Sequence, residues 1–403
     1  MIKRAKQINF TLLISFLFAS LYFAIFSSAA FIYIPVILIL SALLKFHNLS
    51  ASISIFISCI FVSIASSAKT LQGDLIAYNR YYVYVAENDL QTIFYAWLSE
   101  SSIRTTEFIF KIYNYIYSSL GFNFLLFHSI SIAIIYACML SFSLQVDKII
   151  GEKTKRIKAV LFQDKIFAIL WTLLVAVSFT LTSQVLKQYL SMALLSISIM
   201  FYLQDRKLFL AILFMLAAIL THNSTTIILP IVIFGYFYRN YLNTNIFRFL
   251  LMVSAFIFGL ILTNLIDLLG LSALLFYGGM ESPNLGITLI LDMLLLVIAL
   301  FVLPQNIDNT KISLLKAIVI TFICFLIFAR DIPIILLRVY FYMDIIRIFL
   351  GIYIYHSFNK NDRSLILILL AFIGPIYWNL KLFSSNWDYS WYTLSDNLIQ
   401  ILK

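Results

Sequence analysis

The stretch GFNFLLFHSISIAIIYACMLSFSLQV (residues 121–146), followed after Asp147 by KIIGEKTKRIKAVLFQDK (148–165), decides the class of fold. The first piece runs 26 residues without an Asp, Glu, Lys or Arg. As an α-helix it would rise about 39 Å, enough to cross a hydrocarbon layer about 30 Å thick. The second piece is dense in Lys and Arg. That is the pattern of a cytoplasmic loop that anchors topology on anionic lipid.

Runs of the first kind recur along the chain. Of its 403 residues, 63% are hydrophobic and 11% charged, and the mean hydropathy is +0.99. So little charge cannot cover a water-facing surface, which excludes a soluble enzyme. Disorder needs the opposite composition. A transmembrane barrel needs alternating segments of about ten residues, which are absent. The sequence therefore predicts an all-α polytopic membrane protein whose single integral membrane domain spans residues 1–403. About thirteen spans are expected, near 8–27, 30–45, 51–68, 121–146, 166–183, 188–204, 208–221, 224–238, 249–267, 287–303, 314–329, 339–357 and 364–382. Lys3, Arg4 and Lys6 before the first run, and Ser28-Ala29-Ala30 after it, look like a signal peptide. The spans that follow favour an uncleaved start-transfer helix.

With the N-terminus in the cytoplasm and the spans alternating, eighteen of the 28 Lys and Arg fall inside, nine outside, and Arg347 within a span. This two-to-one bias supports the orientation. It also explains the net charge of +10 without nucleic acid, because the basic residues lie between apolar runs rather than on one patch. Residues 147–165 are then a basic cytoplasmic loop. Residues 69–120 form an outer-face loop rich in Tyr, ending in TTEFIFKIYNYIYSSLG (105–121). There Phe108, Ile112, Tyr115 and Ile116 recur at helical spacing, which predicts an amphipathic helix in the outer interface. Trp387 and Trp391 suggest another interfacial segment in the tail.

No Walker A, GxSxG, HExxH or CxxC occurs, so no ATP site, cofactor or metal centre is expected. Cys59, Cys138 and Cys324 lie inside apolar runs and read as small buried hydrophobes. Chemistry is left to polar residues on the outer side, where proximity to hydrocarbon makes each one costly. They fall in four groups. GDLIAYNRYYVYVAENDL (73–90) offers Asp74, Tyr78 and Arg80, with Arg104 and Glu107 after it. A carboxylate can take a proton or orient a hydroxyl, and Arg can fork onto phosphate. SQVLKQYL (183–190) offers Lys187 and Gln188 at the mouth of a span, and a snorkelling lysine is the alternative there. LTHNSTTIILP (220–230) offers His222, with Pro230 in position to bend the next helix. ARDIPIILLRVYFYMDIIR (329–347) offers Arg330 and Arg338, while Asp344 and Arg347 stand three apart and can pair along one helix.

The order of these residues resembles the EpsG-like and Wzy-type polymerases of bacterial surface polysaccharides. Asp74, Tyr78 and Tyr82 match an acidic-aromatic motif after the early spans, and Glu107 a following Glu. Lys187-Gln188 falls at an Arg-Gln position, Asp205-Arg206-Lys207 at a basic turn, and His222 at a His-Ser-like motif. Arg338 resembles a late arginine. The likeness covers roughly 70–235 well and the rest by span count. Two departures stand out: Lys187 replaces the Arg, and Asn223 separates His222 from Ser224. The resemblance implies a GT-C-like bundle in the bacterial inner membrane. It implies a glycosyltransferase that moves a growing glycan from undecaprenyl diphosphate onto a lipid-linked repeat unit at the outer face. Its partners would be the undecaprenyl-diphosphate-linked oligosaccharide, membrane lipids and a chain-length regulator, with no nucleic acid. On this reading Arg80, Lys187 and Arg338 hold diphosphate, and Asp74, Glu107 or His222 handles the acceptor. A flippase for the same lipid-linked oligosaccharide and an O-antigen ligase are the rival readings. The flippase would show broken helices and charges deep in the membrane; the ligase would show a longer outer loop in its second half.

Overall fold

A computed structural model of the chain describes residues 71–93, 107–154, 162–204, 207–238, 245–268, 310–328 and 338–383, together with scattered positions between 52 and 66 and Asp292. The described residues form helices and turns, with no strand among them. This is the all-α architecture the composition demands. The expected spans at 8–27 and 30–45, and most of the one at 287–303, lie outside the described residues. The chain divides into two compact units, one made of residues 1–223 and 358–403, the other of residues 224–357.

In the first unit, α1 (Asp74–Glu87) and α2 (Phe108–Ser119) occupy the stretch expected as an outer loop. The second was legible from its period. The first is hidden by a mixed run of Tyr and charges. It starts after Gly73, whose φ of 51° lies in the left-handed region that glycine tolerates, and Asp74 suits the positive end of the helix dipole. Leu75, Tyr78, Tyr82 and Val85 form its buried face. On α2 the residues packed inward are Phe110 and Asn114, whereas Ile116 of the expected apolar face is exposed.

The α2 end is set locally. Gly121 N–H donates to Ser118 O (2.9 Å), and Phe122 N–H to Tyr117 O (3.3 Å). This double closure of the last turn requires the left-handed φ of 75° at Gly121. Asn123 Oδ1 then accepts from Leu126 N–H at 2.7 Å and caps α3 (Phe124–Thr154). Tyr82 Oη donates to Phe122 O (2.8 Å), tying α1 to the same turn. Rings of Tyr82, Phe124, Tyr113 and Tyr117 gather around Phe127.

Two described helices are long and apolar enough to cross a membrane: Phe124–Gly151 within α3, and α6 (Leu186–Leu203). The α3 helix continues through the first part of the basic stretch expected as a loop from 147. The expected span at 166–183 is not one helix. It consists of α4 (Phe162–Trp171), a π-helical turn over Thr172–Ala176, an extended step at Val177 and Ser178, and α5 (Phe179–Gln184). The reason is local. Thr172 Oγ1 donates back to Ala168 O, and Thr182 Oγ1 to Ser178 O. Val175, Val177, Thr180 and Val185 add β-branched side chains that strain a helix. Such hydroxyl bonds to the preceding turn are a known cause of bends.

Helix α6 lies against α3 and against α7 (Leu208–Thr221). Ser191 Oγ donates to Ala218 O (2.7 Å) and Ser198 Oγ to Ala211 O (2.6 Å), so small residues let the α6 and α7 backbones approach. The outer face of α7 exposes Leu208, Phe209, Ile212, Leu213, Leu216 and Leu220. An apolar stripe of that extent suits lipid rather than water. Helix α12 (Lys360–Phe383) packs on α4, where Arg363 pairs with the buried Asp164 at 3.8 Å.

The second unit contains α8 (Thr225–Tyr238), α9 (Asn245–Leu268), α10 (Thr310–Phe328) and α11 (Met343–Ser357). Helix α10 meets both α8 and α9. Ala317, Ile320 and Cys324 form its inner stripe, against Phe247, Leu251, Met252 and Ala255 of α9. Cys324 and Cys59 are buried free thiols, as their apolar settings predict. The Asp344–Arg347 ion pair is present, and Arg347 also grips Asp292 through Nε (2.5 Å) and Nη2 (2.6 Å). Tyr340 Oη donates to the same Asp292 carboxylate. Asp292 was not singled out from the sequence; a lone carboxylate in an apolar run was the available signal.

Candidate functional site

Three helices of the first unit bring three polar residues to one point. Glu107 precedes the first residue of α2, Lys187 lies in the first turn of α6, and His222 closes α7. Glu107 Oε2 accepts from Lys187 Nζ at 2.5 Å, and Oε1 pairs with His222 Nδ1 at 2.7 Å. The carboxylate is at a helix N-terminus yet makes no capping bond. Both of its oxygens are turned to the other two helices. Side-chain exposures are 13% for Glu107, 14% for His222 and 26% for Lys187, so the cluster is shielded but open.

Burial pushes the Glu107 carboxyl up, but the His222 hydrogen bond and the Lys187 charge outweigh it and hold the group below the ordinary carboxylate range. The acid therefore stays ionised at neutral pH. The Lys187 ammonium also stands 5.5 Å from the Tyr78 ring centre and 5.8 Å from that of Phe110. Those rings meet edge to face, 5.8 Å apart. Attraction of the cation to both ring faces holds the lysine in place. Burial pushes the Tyr78 phenol well above its usual range, and the Asp74 and Glu107 charges add to this. Asp74 lies one turn ahead of Tyr78 and is exposed.

Of the residues expected from the sequence, Tyr78, Glu107, Lys187 and His222 thus converge, with Asp74 beside them. Arg80 is exposed and lies about 200° around α1 from Tyr78, away from the lysine. Gln188 is buried. Arg338 is half-buried in the second unit. Arg104 and Arg330 lie outside the described residues. The partner of His222, left open by the Asn223 insertion, is Glu107. Ser224 and Thr225 instead meet the Tyr342 hydroxyl, at 3.1 and 2.7 Å, within the second unit.

Three residues were not foreseen from the sequence. Phe110 supplies the second ring, and its only sequence signal is its place one helical turn after Glu107. Gln184, in the polar run Thr182-Ser183-Gln184, donates from Nε2 to Gln72 O at 2.9 Å. His128, on α3, meets Ser183 O with Nε2 at 2.9 Å and braces the same step.

Residues 53–394 of the chain match the EpsG family. The chain belongs to this family. Membership in the EpsG family places it in polysaccharide biosynthesis, with a polymerase-like role, and in a membrane. Neither a curated protein nor a solved structure matches it. The EpsG match takes in all of the residues that converge on Glu107.

Proposed function

We propose that the chain is a glycosyltransferase that polymerises lipid-linked repeat units at the outer face of the inner membrane. It would transfer the growing glycan from undecaprenyl diphosphate to a hydroxyl of the incoming unit. The observation that carries this reading is the Glu107 carboxylate held between Lys187 and His222.

The chemistry follows from that arrangement. Glu107 accepts the Nδ1 proton of His222 and orients the ring, which leaves Nε2 to take a proton. The acceptor hydroxyl oxygen attacks the anomeric carbon of the growing chain. The bond from that carbon to the diphosphate oxygen breaks, and undecaprenyl diphosphate leaves with the electron pair. The acceptor proton passes to His222 Nε2. Lys187 has three N–H donors and uses one on Glu107. The others can meet the diphosphate as its charge develops. The activated bond is already in the donor, so the reaction requires no nucleotide.

The flippase remains the second reading, favoured by the interrupted segment at 172–185. Deleting the gene and resolving surface glycans by size separates the two. Loss of the long ladder with single units still displayed is the expected result. Loss of all units from the surface, with lipid-linked units retained inside, would establish transport instead.

A further inference from the structure

Around the Lys187 ammonium stand three side chains carried by α1 and α2. Glu107 Oε2 accepts from it at 2.5 Å, and the ring centres of Tyr78 and Phe110 lie 5.5 and 5.8 Å away. Two of these side chains come from one turn. Lys111 N–H donates to Glu107 O at 3.3 Å and closes the start of α2. Glu107 and Phe110, three residues apart in the sequence, therefore share a side of the helix. The carboxylate and the ring face meet the lysine as one rigid pair. Phe110 is 3% exposed and Tyr78 7%, so both rings are fixed by the packing of α1 on α2. The ion pair alone does not account for the arrangement. One partly exposed pair is a weak tether for a flexible four-carbon stem. A lysine so tethered is free to slide across the carboxylate and take both oxygens, yet Oε1 belongs to His222 Nδ1 at 2.7 Å. Attraction to two fixed ring faces keeps the ammonium at Oε2.

We propose that Phe110 is a positioning residue: its ring face holds the Lys187 ammonium on one oxygen of Glu107, which reserves the other oxygen for His222 and keeps the remaining ammonium N–H groups for the lipid diphosphate. This rests on the polymerase reading above. Phe110 acts through Lys187 and needs no contact with the substrate. Its effect belongs in kcat. The charge that Lys187 meets develops as the bond to the diphosphate breaks, so a misplaced ammonium is felt in the transition state rather than in ground-state binding.

The test uses the full chain in membrane vesicles. The probe is the lipid-linked repeat unit extracted from a strain lacking the gene. Initial rates of chain extension are measured against unit concentration. Phe110→Leu is expected to lower kcat roughly tenfold, within the range for a shielded cation on a ring, while KM stays within about threefold. The second measurement replaces Phe110 by its mono-, di- and trifluorinated phenylalanine analogues. Fluorine withdraws electrons from the ring face and leaves its shape nearly unchanged, so kcat is expected to fall stepwise along the series. Because the analogues keep the packing, the series decides the matter even where Phe110→Leu fails to fold. A kcat that ignores fluorination overturns the proposal, whatever Phe110→Leu does. So does a series in which KM rises and kcat holds. A wild type that moves the unit without extending it overturns the polymerase reading and this one together. A wild type that extends it, with kcat flat along the series, overturns only this one.

Discussion

The two compact units each hold a charged cluster, and the clusters differ mainly in their access to solvent. Around Glu107 the three charged side chains are 13% to 26% exposed. Around Arg347 the guanidinium and the Asp292 and Asp344 carboxylates are 2% to 3% exposed, and Tyr340 adds a further bond. Both are salt-bridged networks whose full set of partners no local spacing in the sequence gives. A half-open cluster can exchange partners with a substrate without first breaking the fold. A sealed one cannot, because removing one member strands the other charges in a low-dielectric interior. On the proposed reading, the difference separates a site of chemistry from a structural lock.

The comparison is most exposed to failure at Glu107. If His222 is the base and Glu107 its orienting partner, Glu107→Gln should lower chain extension about 10⁴-fold, as expected when a carboxylate that sets a histidine tautomer is lost. The protein should still reach the membrane in normal amount. Glycan sizing with immunoblotting checks both, and normal chain lengths would remove the cluster from the mechanism.

The converse is expected at Arg347. Arg347→Met leaves Asp292 and Asp344 buried and uncompensated, which should cost about 3–5 kcal/mol. Thermal unfolding in detergent measures it. Adding Asp292→Asn and Asp344→Asn should restore most of the loss. Failure of that rescue would mean the cluster does more than hold the helices.

A smaller effect should appear with pH. The folded Glu107 carboxyl lies below its ordinary range, so its ion pairs contribute fully above the unfolded value of about 4.3. That contribution is lost as pH falls through the lowered folded value. Melting temperatures of wild type and Glu107→Gln should therefore converge only once the pH has fallen below the ordinary carboxylate range, and separate above it. Parallel curves would show that the pairs add no stability. Smallest of all, Ser198→Ala removes one α6–α7 hydrogen bond. It should cost about 0.6 kcal/mol, the usual size for such bonds between membrane helices, with chain length unchanged.

Much of this was legible where the cause is local. The α2 helix follows from its apolar period; its closing turn was not foreseen, although Gly121 is the residue whose tolerance of positive φ closes the helix that way. The Asp344–Arg347 pair follows from a spacing of three on one helix. The α1 helix was missed because charges and Tyr interrupt its period. The break at 172–185 was missed because a run rich in Leu and Val reads as a continuous span, and hydropathy does not register the backbone bonds of the Thr172 and Thr182 hydroxyls.

What the sequence by itself determined is the solvent and the class. With 11% of its residues charged, the chain must fold as helices whose outer faces meet lipid. Its polar residues were also legible as an ordered series resembling a family motif. Only the tertiary structure decided which of them touch. Glu107 lies 80 residues from Lys187 and 115 from His222. Their meeting depends on how α2, α6 and α7 pack, through the small residues between α6 and α7 and the closed turn after α2. No local spacing encodes that distance, whereas burial of an unpaired charge is costly enough to make the pairing decisive once the helices are in place.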